Sequence, residues 1–351
     1  MAINMCIIGF GGMAGWHLQN VDENVPEVNI TGVYDIREEA LEKAKRKRLK
    51  VYKSKEEIYA DKNIDLILIA TPNDVHKSYS IESLEAGKNV ICEKPVTMNL
   101  AELDEIIKVA EKTKKFFTVH QNRRWDKDYL TVRKIIKDGF LQGLYRIESR
   151  VQGSRQWVHG WRGYKINGGG MLLDWGVHLI DQILCLFDEK IISISANEHR
   201  VMMSEVEDDF TATLQFESGL TAIVNVSMSA FIPQKRWHLF CKNGAATVLD
   251  WDANGEIVRL KNSETLSWEE DIVYTSAGPT RSMAPRPDTT VEKLPLPVVE
   301  GDWLDLYRNA VQVINGREQS VVTYPQMRRC MEVIDAIFLS FKNKASVQCS
   351  I

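Results

Sequence analysis

Short apolar runs rich in β-branched residues alternate with helical spacings over the first 120 positions or so. INMCIIG, VNITGVY, IDLILIA, NVICE and FFTVH are apolar on both faces and read as buried strands of a parallel sheet. Between them, GGMAGWHLQN, REEALEKAKRK, DVHKSYSIESLEAG and NLAELDEIIKVAEKT carry the helical period, as crossovers between parallel strands require. The pattern predicts a doubly wound α/β domain over residues 1–121.

The rhythm changes after Arg123. One helix is predicted at about 126–138, a strand at YRIESRVQG and a second helix at about 170–187. Consecutive strand-like runs follow: IISISANEHRV, DFTATLQF, LTAIVNVSMS, WHLFCK and ATVLDW. Turn-forming ESG and NG join two pairs of them, which points to antiparallel hairpins. Residues 122–351 are therefore expected to form an α+β domain on an open, mainly antiparallel sheet. Residues 251–298 carry five prolines, among them Pro285, Pro287 and Pro295, and read as a loop-rich excursion or lid. Helical spacing returns within 302–345, in DWLDLYRNAVQVI and YPQMRRCMEVIDAIFLSF, to cover a sheet or the domain junction.

At 351 residues the chain exceeds what one core usually serves, and 44% hydrophobic with 26% charged residues is a globular balance. A formal net charge of -4 argues against a nucleic-acid partner, and the basic run from Lys43 to Lys50 reads as a solvated face. Six cysteines without a CxxC pair suggest neither a zinc site nor a disulfide framework. No apolar stretch approaches the ~18 residues that span a bilayer, and no basic leader opens the chain; a cytoplasmic location without membrane contact is expected.

Gly9, Gly11 and Ala14 form G-x-G-x-x-A, with Gly12 and Met13 inside it, directly after a strand and at the start of a helix. The first glycine permits the tight turn, the second admits a pyrophosphate, and the small third residue lets helix pack on strand. A structural strand-to-helix turn carries similar letters; the position at the first βα turn is what points to a Rossmann dinucleotide site. Asp35, ending the second strand in VYDIR, stands where an acid would bond the adenosine ribose, which favours NAD. Arg37 could instead take a 2′-phosphate, so NADP stays open, and a helix N-cap is an equally compatible role for Asp35. Thr71, Pro72, Asn73 and His76 follow the fourth strand at the carboxyl edge of the sheet, where ligands bind and where helix caps also sit.

The fifth strand ends in Cys92-Glu93-Lys94-Pro95. With the glycine turn, ATPNDVH, the QNRRWD segment from Gln121 to Asp126, Trp161-Arg162, Gly168-Gly169-Gly170, and Asp174 with His178, the chain resembles the Gfo/Idh/MocA family, the glucose-fructose oxidoreductase and inositol dehydrogenase group. The resemblance implies that Lys94 lies at the nicotinamide end beside the substrate, and that the Lys94-Pro95 peptide is cis. It places Glu93, Gln121, Trp161 and Arg162 on the cofactor side and makes GGGMLLDWGVHLID the active-site helix. It further implies a sugar, inositol or related polyol as substrate and a homo-oligomer, dimer or tetramer. Asn122, Arg123, Trp125, Trp157 and His159 are then candidate pocket residues, although Arg123 and Trp125 could equally form the domain junction.

On a regular helix with Asp174 at zero, His178 falls at about 40°, Cys185 at about 20° and Asp181 at about 340°. The apolar Leu172, Trp175, Leu179, Ile180, Ile183 and Phe187 occupy the opposite side, so His178 is expected to face away from the core. A buried, satisfied histidine and a solvent-facing His-Asp pair are the bland alternatives. Alcohol oxidation needs a base near the hydroxyl, and histidine suits that range. The expected roles are His178 as proton acceptor, Lys94 as donor to the developing alkoxide, and Asp174 as holder of substrate or imidazole; Lys94 is the alternative base. No sequence pattern indicates a metal. The expected function is NAD(P)-dependent oxidation of a secondary hydroxyl. Its rivals are transient glycoside oxidation with a tightly held cofactor, leading to elimination or epimerisation, and a dinucleotide-sensing regulator without turnover.

Overall fold

The structure, a computed structural model, describes residues 2–261, 272–280 and 286–351. Strands β1 (Ile3–Ile8), β2 (Val28–Tyr34), β3 (Lys50–Val51), β4 (Leu66–Ile69), β5 (Asn89–Cys92) and β6 (Phe117–Val119) form one sheet in the order β3-β2-β1-β4-β5-β6. Every pair is parallel. Helices α1 (Gly12–Asn24), α2 (Glu38–Arg46), α3 (Lys55–Ala60), α4 (His76–Glu85) and α5 (Leu100–Thr113) are the crossovers. The runs are apolar throughout because both faces are covered: all four residues of Leu66–Ile69 are fully buried. Since β1 is flanked by β2 and β4, the strand order reverses there and leaves a crevice at the carboxyl ends. The two-residue β3 and six-residue α3 were not anticipated, being too short to show a period.

The second sheet follows α6 (Lys127–Lys137). Its strands are β7 (Leu144–Gln152), then, after α7 (Val177–Leu186), β8 (Ile191–His199), β9 (Asp209–Phe216), β10 (Thr221–Ser227), β11 (Trp237–Cys241), β12 (Gly244–Val248) and β13 (Gly255–Leu260). A separate hairpin, β14 (Val273–Thr275) and β15 (Gly278–Thr280), precedes β16 (Val291–Pro295). With β17 (Val347–Gln348) the nine strands run β16-β13-β12-β11-β7-β10-β9-β8-β17. All pairs are antiparallel except β7 with β10, which the chain reaches through a long crossover.

Two expectations change. The excursion at 251–298 holds two sheet strands, β13 and β16, whose short sequences alternate too weakly to read; residues 262–271 and 281–285, with Pro285, lie outside the described residues. The helix expected at 170–187 is not regular: Leu172–Gly176 forms a π turn before α7 begins. Gly176 packs against Phe210 so closely that an added Cβ would lie 2.7 Å from the ring. A π turn changes the angular register, so the projection from Asp174 to His178 does not hold.

Helices α8 (Asp305–Ile314) and α9 (Tyr324–Asn343) return to the first sheet. A Thr323–Gln326 capping box starts α9. Trp303 stacks on Trp16 at 3.9 Å, Asp335 accepts from the Leu100 N–H at 3.0 Å, and Arg328 pairs with Asp104. Among the described residues no helix is long and apolar enough to cross a membrane.

Candidate active site

The crevice beside β1 is built for a diphosphate. Gly9 turns the chain at φ +90°, and a Cβ there would lie 2.6 Å from the Ala70 carbonyl oxygen. Helix α1 starts at Gly12 without a side-chain cap, which leaves its first N–H groups to an anion. A Cβ on Gly11 would meet nothing nearer than Arg37 at 4.0 Å, and one on Gly12 nothing at all, so the space a phosphate needs is open in front of both. A cleft of about 500 Å³ continues from this turn past Asp35, Thr71, Pro72 and Tyr79 to Trp161. The buried Asp35 carboxylate accepts from the Phe10 N–H at 2.7 Å, and from the Arg37 N–H and guanidinium at 2.8–3.1 Å. Burial would raise its pKa, but these donors outweigh that and hold it below the usual carboxylate value. These residues fit a dinucleotide.

Polar chemistry gathers at another end of the sheet's carboxyl edge. The Lys94-Pro95 peptide is cis. Lys94 Nζ donates to Asp174 Oδ1 at 2.9 Å and to the Asp174 carbonyl at 2.7 Å, and Arg162 Nε donates to the same Oδ1 at 3.1 Å. Burial again opposes ionisation of Asp174, yet Lys94 and Arg162 keep its carboxyl below the usual range. His178 is 5% exposed, and its Nδ1 has no partner. Burial first, then the charges of Lys94 and Arg123, push its pKa well below 6.5, with Glu93 opposing. Its ring meets Trp175 edge-on at 5.8 Å, and Trp175 lies 5.7 Å from Trp251. The Arg123 guanidinium lies over both indoles, at 4.5 and 5.1 Å.

Residues 3–121 match the family model described as "Oxidoreductase family, NAD-binding Rossmann fold", and residues 129–247 that of the "GFO/IDH/MocA C-terminal domain". The chain is a Gfo/Idh/MocA family oxidoreductase. A solved NAD-binding protein from Listeria innocua is 38% identical, covers 99% of both chains and superposes with a TM-score of 0.95. An uncharacterized oxidoreductase of Schizosaccharomyces pombe is 36% identical over 48% of this chain, which spans 46% of that relative, about half its length. The scyllo-inositol 2-dehydrogenase (NADP(+)) IolW of Bacillus subtilis is 28% identical over 83% of this chain and 81% of its own. This family member is thus an NAD-binding oxidoreductase by kinship, and one of its relatives is named for NADP.

Several predicted site residues of this oxidoreductase sit elsewhere. His76 is fully buried with its nitrogens 2.8 Å from the Pro95 carbonyl and 3.1 Å from that of Thr71, so it ties two turns together instead of facing the cleft. Asn73 is buried and donates to the Gly168 carbonyl at 2.7 Å, joining the two sheets' loops. Gln121 lines a small internal space with Val177, Asp181 and Met331, and Glu93 points its carboxylate inward. Ala14 is buried under the turn, while Met13 is exposed on the first turn of α1. Asn122 and Trp125 share a short turn, and the Trp125 carbonyl is pressed against Gly301, a junction contact. Trp157 and His159 are exposed on the loop after β7, and among the described residues the hydrogen bonds of Lys94 and Asp174 go to neither of them. Asp174 and His178 do not pair: the carboxylate is taken by two cations and the ring is neither solvent-facing nor satisfied.

Other contributors were missed. Trp251 arrives from the end of β12, far along the chain, and nothing in its own sequence neighbourhood marks it. Asn167 lines the cleft from the loop before the three glycines, which the GGG run could have flagged. Three widely separated residues, His17, Glu93 and His120, bring their ligand-type atoms within 4.8 Å of one another.

Proposed function

We propose that this oxidoreductase transfers hydride between a nicotinamide cofactor and a secondary hydroxyl of a sugar, inositol or related polyol. The observation that supports it most directly is the Lys94–Asp174 contact beside an unpartnered His178 ring. A dinucleotide held by the glycine turn, Asp35 and Trp161 supplies the hydride acceptor.

The chain's own groups handle the proton and the charge. Lys94, held by Asp174 and its carbonyl, is a fixed donor for a hydroxyl oxygen and stabilises it as it loses its proton. Asp174 keeps that ammonium in place, and Arg162 keeps Asp174 in place. The low pKa of His178 leaves its ring in the free-base form at neutral pH, ready to accept the hydroxyl proton. Trp175 and Trp251 offer aromatic faces to the carbon side of a hydroxylated ring, and Arg123 offers hydrogen bonds to its substituents. The named specificity of IolW for an inositol supports a polyol ring. Assembly into a dimer or tetramer through the partly exposed face of the nine-stranded sheet, seen in the alternating burial of β9 and β10, belongs to the same reading.

The test is a panel of inositols, aldoses and alditols with NAD and with NADP, read by absorbance of the reduced nicotinamide. At least one substrate should turn over, and His178→Ala should lower kcat by roughly 10² to 10⁴. No turnover across the panel, or an unchanged His178→Ala variant, defeats the proposal.

A further inference from the structure

Four polar groups from separate parts of the chain meet in the interior behind Lys94, and the chemistry just described uses none of them. Glu93 Oε1 accepts a hydrogen bond from His17 Nε2 at 2.7 Å, and His120 Nδ1 lies 3.1 Å from the same oxygen. The Tyr307 hydroxyl lies 2.8 Å from His17 Nδ1. A neutral imidazole with Nε2–H committed to the carboxylate has Nδ1 free to accept, so the tyrosine donates and fixes the tautomer. The other Glu93 oxygen accepts from the Lys94 backbone N–H at 3.2 Å. His17, His120 and Tyr307 are completely buried and Glu93 is 5% exposed. Glu93 is nonetheless ionised: burial works against it, and His120 and His17 outweigh burial to hold its carboxyl well below the usual value.

An interior charge of this kind is an expensive way to fill space, since apolar residues of the same volume often serve stability as well. Its placement gives it another use. Glu93 immediately precedes Lys94. His17 sits on α1, the helix whose first turn faces the diphosphate space; His120 directly follows β6; Tyr307 is on α8. One carboxylate therefore ties the lysine's turn directly to α1 and to the residue after β6, and through His17 to α8. Its charge also reaches His178, where it opposes the cations Lys94 and Arg123 and the neighbouring His120.

We propose that Glu93 is a positioning residue of the oxidoreductase reaction: gripped by His120 and by His17, which Tyr307 holds in turn, its carboxylate fixes Lys94 against Asp174 and offsets the positive charge around His178. The proposal rests on the dehydrogenase reading above. The titratable groups facing Glu93 are His17 from α1, His76 from the start of α4, Lys94 in its own turn, His120 after β6, His178 from α7 and Tyr307 from α8. Two imidazoles and a carboxylate are also donors a divalent metal accepts. The 2.7 Å separation of His17 and Glu93 is a hydrogen-bond length, and a tautomer set by Tyr307 completes a metal-free network.

The experiment compares wild type with Glu93→Gln, which keeps the shape and removes the charge. Turnover should fall roughly tenfold or more, in the manner of a lost electrostatic support, while the dissociation constant for NAD, read by calorimetry, stays unchanged. The acid limb of the kcat/KM profile should move to lower pH, because removing a nearby negative charge disfavours protonated His178. Glu93→Asp, which keeps the charge on a shorter arm, should restore the limb but not kcat. A purely structural role would not move the limb. Should Glu93→Gln fail to fold, Tyr307→Phe carries the test: kcat should fall with NAD binding retained. A Glu93→Gln or Tyr307→Phe enzyme with wild-type kcat overturns the proposal, as does a stoichiometric metal in the wild type that Glu93→Gln loses. An inactive wild type overturns the dehydrogenase reading itself, and this proposal with it; an active wild type matched by Glu93→Gln overturns this proposal alone.

Discussion

Lys94 Nζ holds Asp174 twice, at the carboxylate oxygen 2.9 Å away and at the backbone carbonyl 2.7 Å away. The ammonium thus registers both the charge of that residue and the course of the π turn that carries it. Asp174→Asn keeps the carbonyl contact and removes the charge that Lys94 and Arg162 share.

The Asn variant should therefore fold but lose roughly 1.5–3 kcal/mol of stability, the usual worth of hydrogen bonds to charged groups. Its kcat should drop about 10- to 100-fold as the lysine loses its fixed direction. Chemical denaturation and steady-state kinetics check both, and a variant with wild-type kcat would show that Asp174 does not hold the lysine for catalysis.

The Asp35–Arg37 pairing bears on cofactor choice. Both Asp35 oxygens are engaged by the arginine or by backbone, so a 2′-phosphate reaching the exposed guanidinium would have to share it with a buried carboxylate that repels it. Wild type should use NAD in preference to NADP. Asp35→Ser should cut kcat/KM for NAD about tenfold or more and raise it for NADP by freeing Arg37. A wild-type preference for NADP, or no change on substitution, counts against this geometry.

Gly9 and Gly11 should fail in different ways. Gly9→Ala meets both a positive φ and a backbone oxygen at 2.6 Å, and should destabilise the fold itself by roughly 2 kcal/mol or more. Gly11→Ala meets only Arg37, at an unstrained 4.0 Å, in the free protein, but its methyl occupies phosphate space. It should keep the wild-type melting temperature and lose at least about tenfold in NAD affinity. Thermal melts with and without NAD separate the two.

Much of this was readable beforehand because it is local. The β1 turn and the EKP motif each depend on a few consecutive residues, and both lie where their patterns place them. What the pattern could not carry was long-range or quasi-regular. The projection of Asp174 and His178 assumed 100° per residue, and the π turn at Leu172–Gly176 breaks that assumption. His76 and Gln121 occupy plausible positions in sequence, yet the residues that bury them come from other segments. Trp251 and Tyr307 reach their partners across stretches no local period spans.

Glu207 gives a prediction for pH. It is buried, accepts from the Leu172 N–H at 2.8 Å at the start of the π turn, and is pushed up to about 7 from 4.5 chiefly by burial. The folded state therefore holds a proton that the unfolded chain releases between those values. Stability should fall as pH rises from about 4.5 to 7 and level off above it, by roughly 3 kcal/mol at most from this group. Glu207→Gln should flatten that part of the melting-temperature profile between pH 5 and 8, and an unaltered slope would assign the dependence elsewhere.

The contact of Trp303 and Tyr307 with Trp16 and His17 has a consequence for biosynthesis. All six strands of the first sheet have been synthesised once residue 119 is made, but the aromatic cover for α1 follows nearly 190 positions later. At typical elongation rates of about 5–20 residues per second, this nascent first segment waits on the order of 10–40 s with that surface bare. A chaperone able to shield an indole and two imidazoles over that interval would find its client here, and a fragment ending at the sheet would carry the same uncovered surface for good.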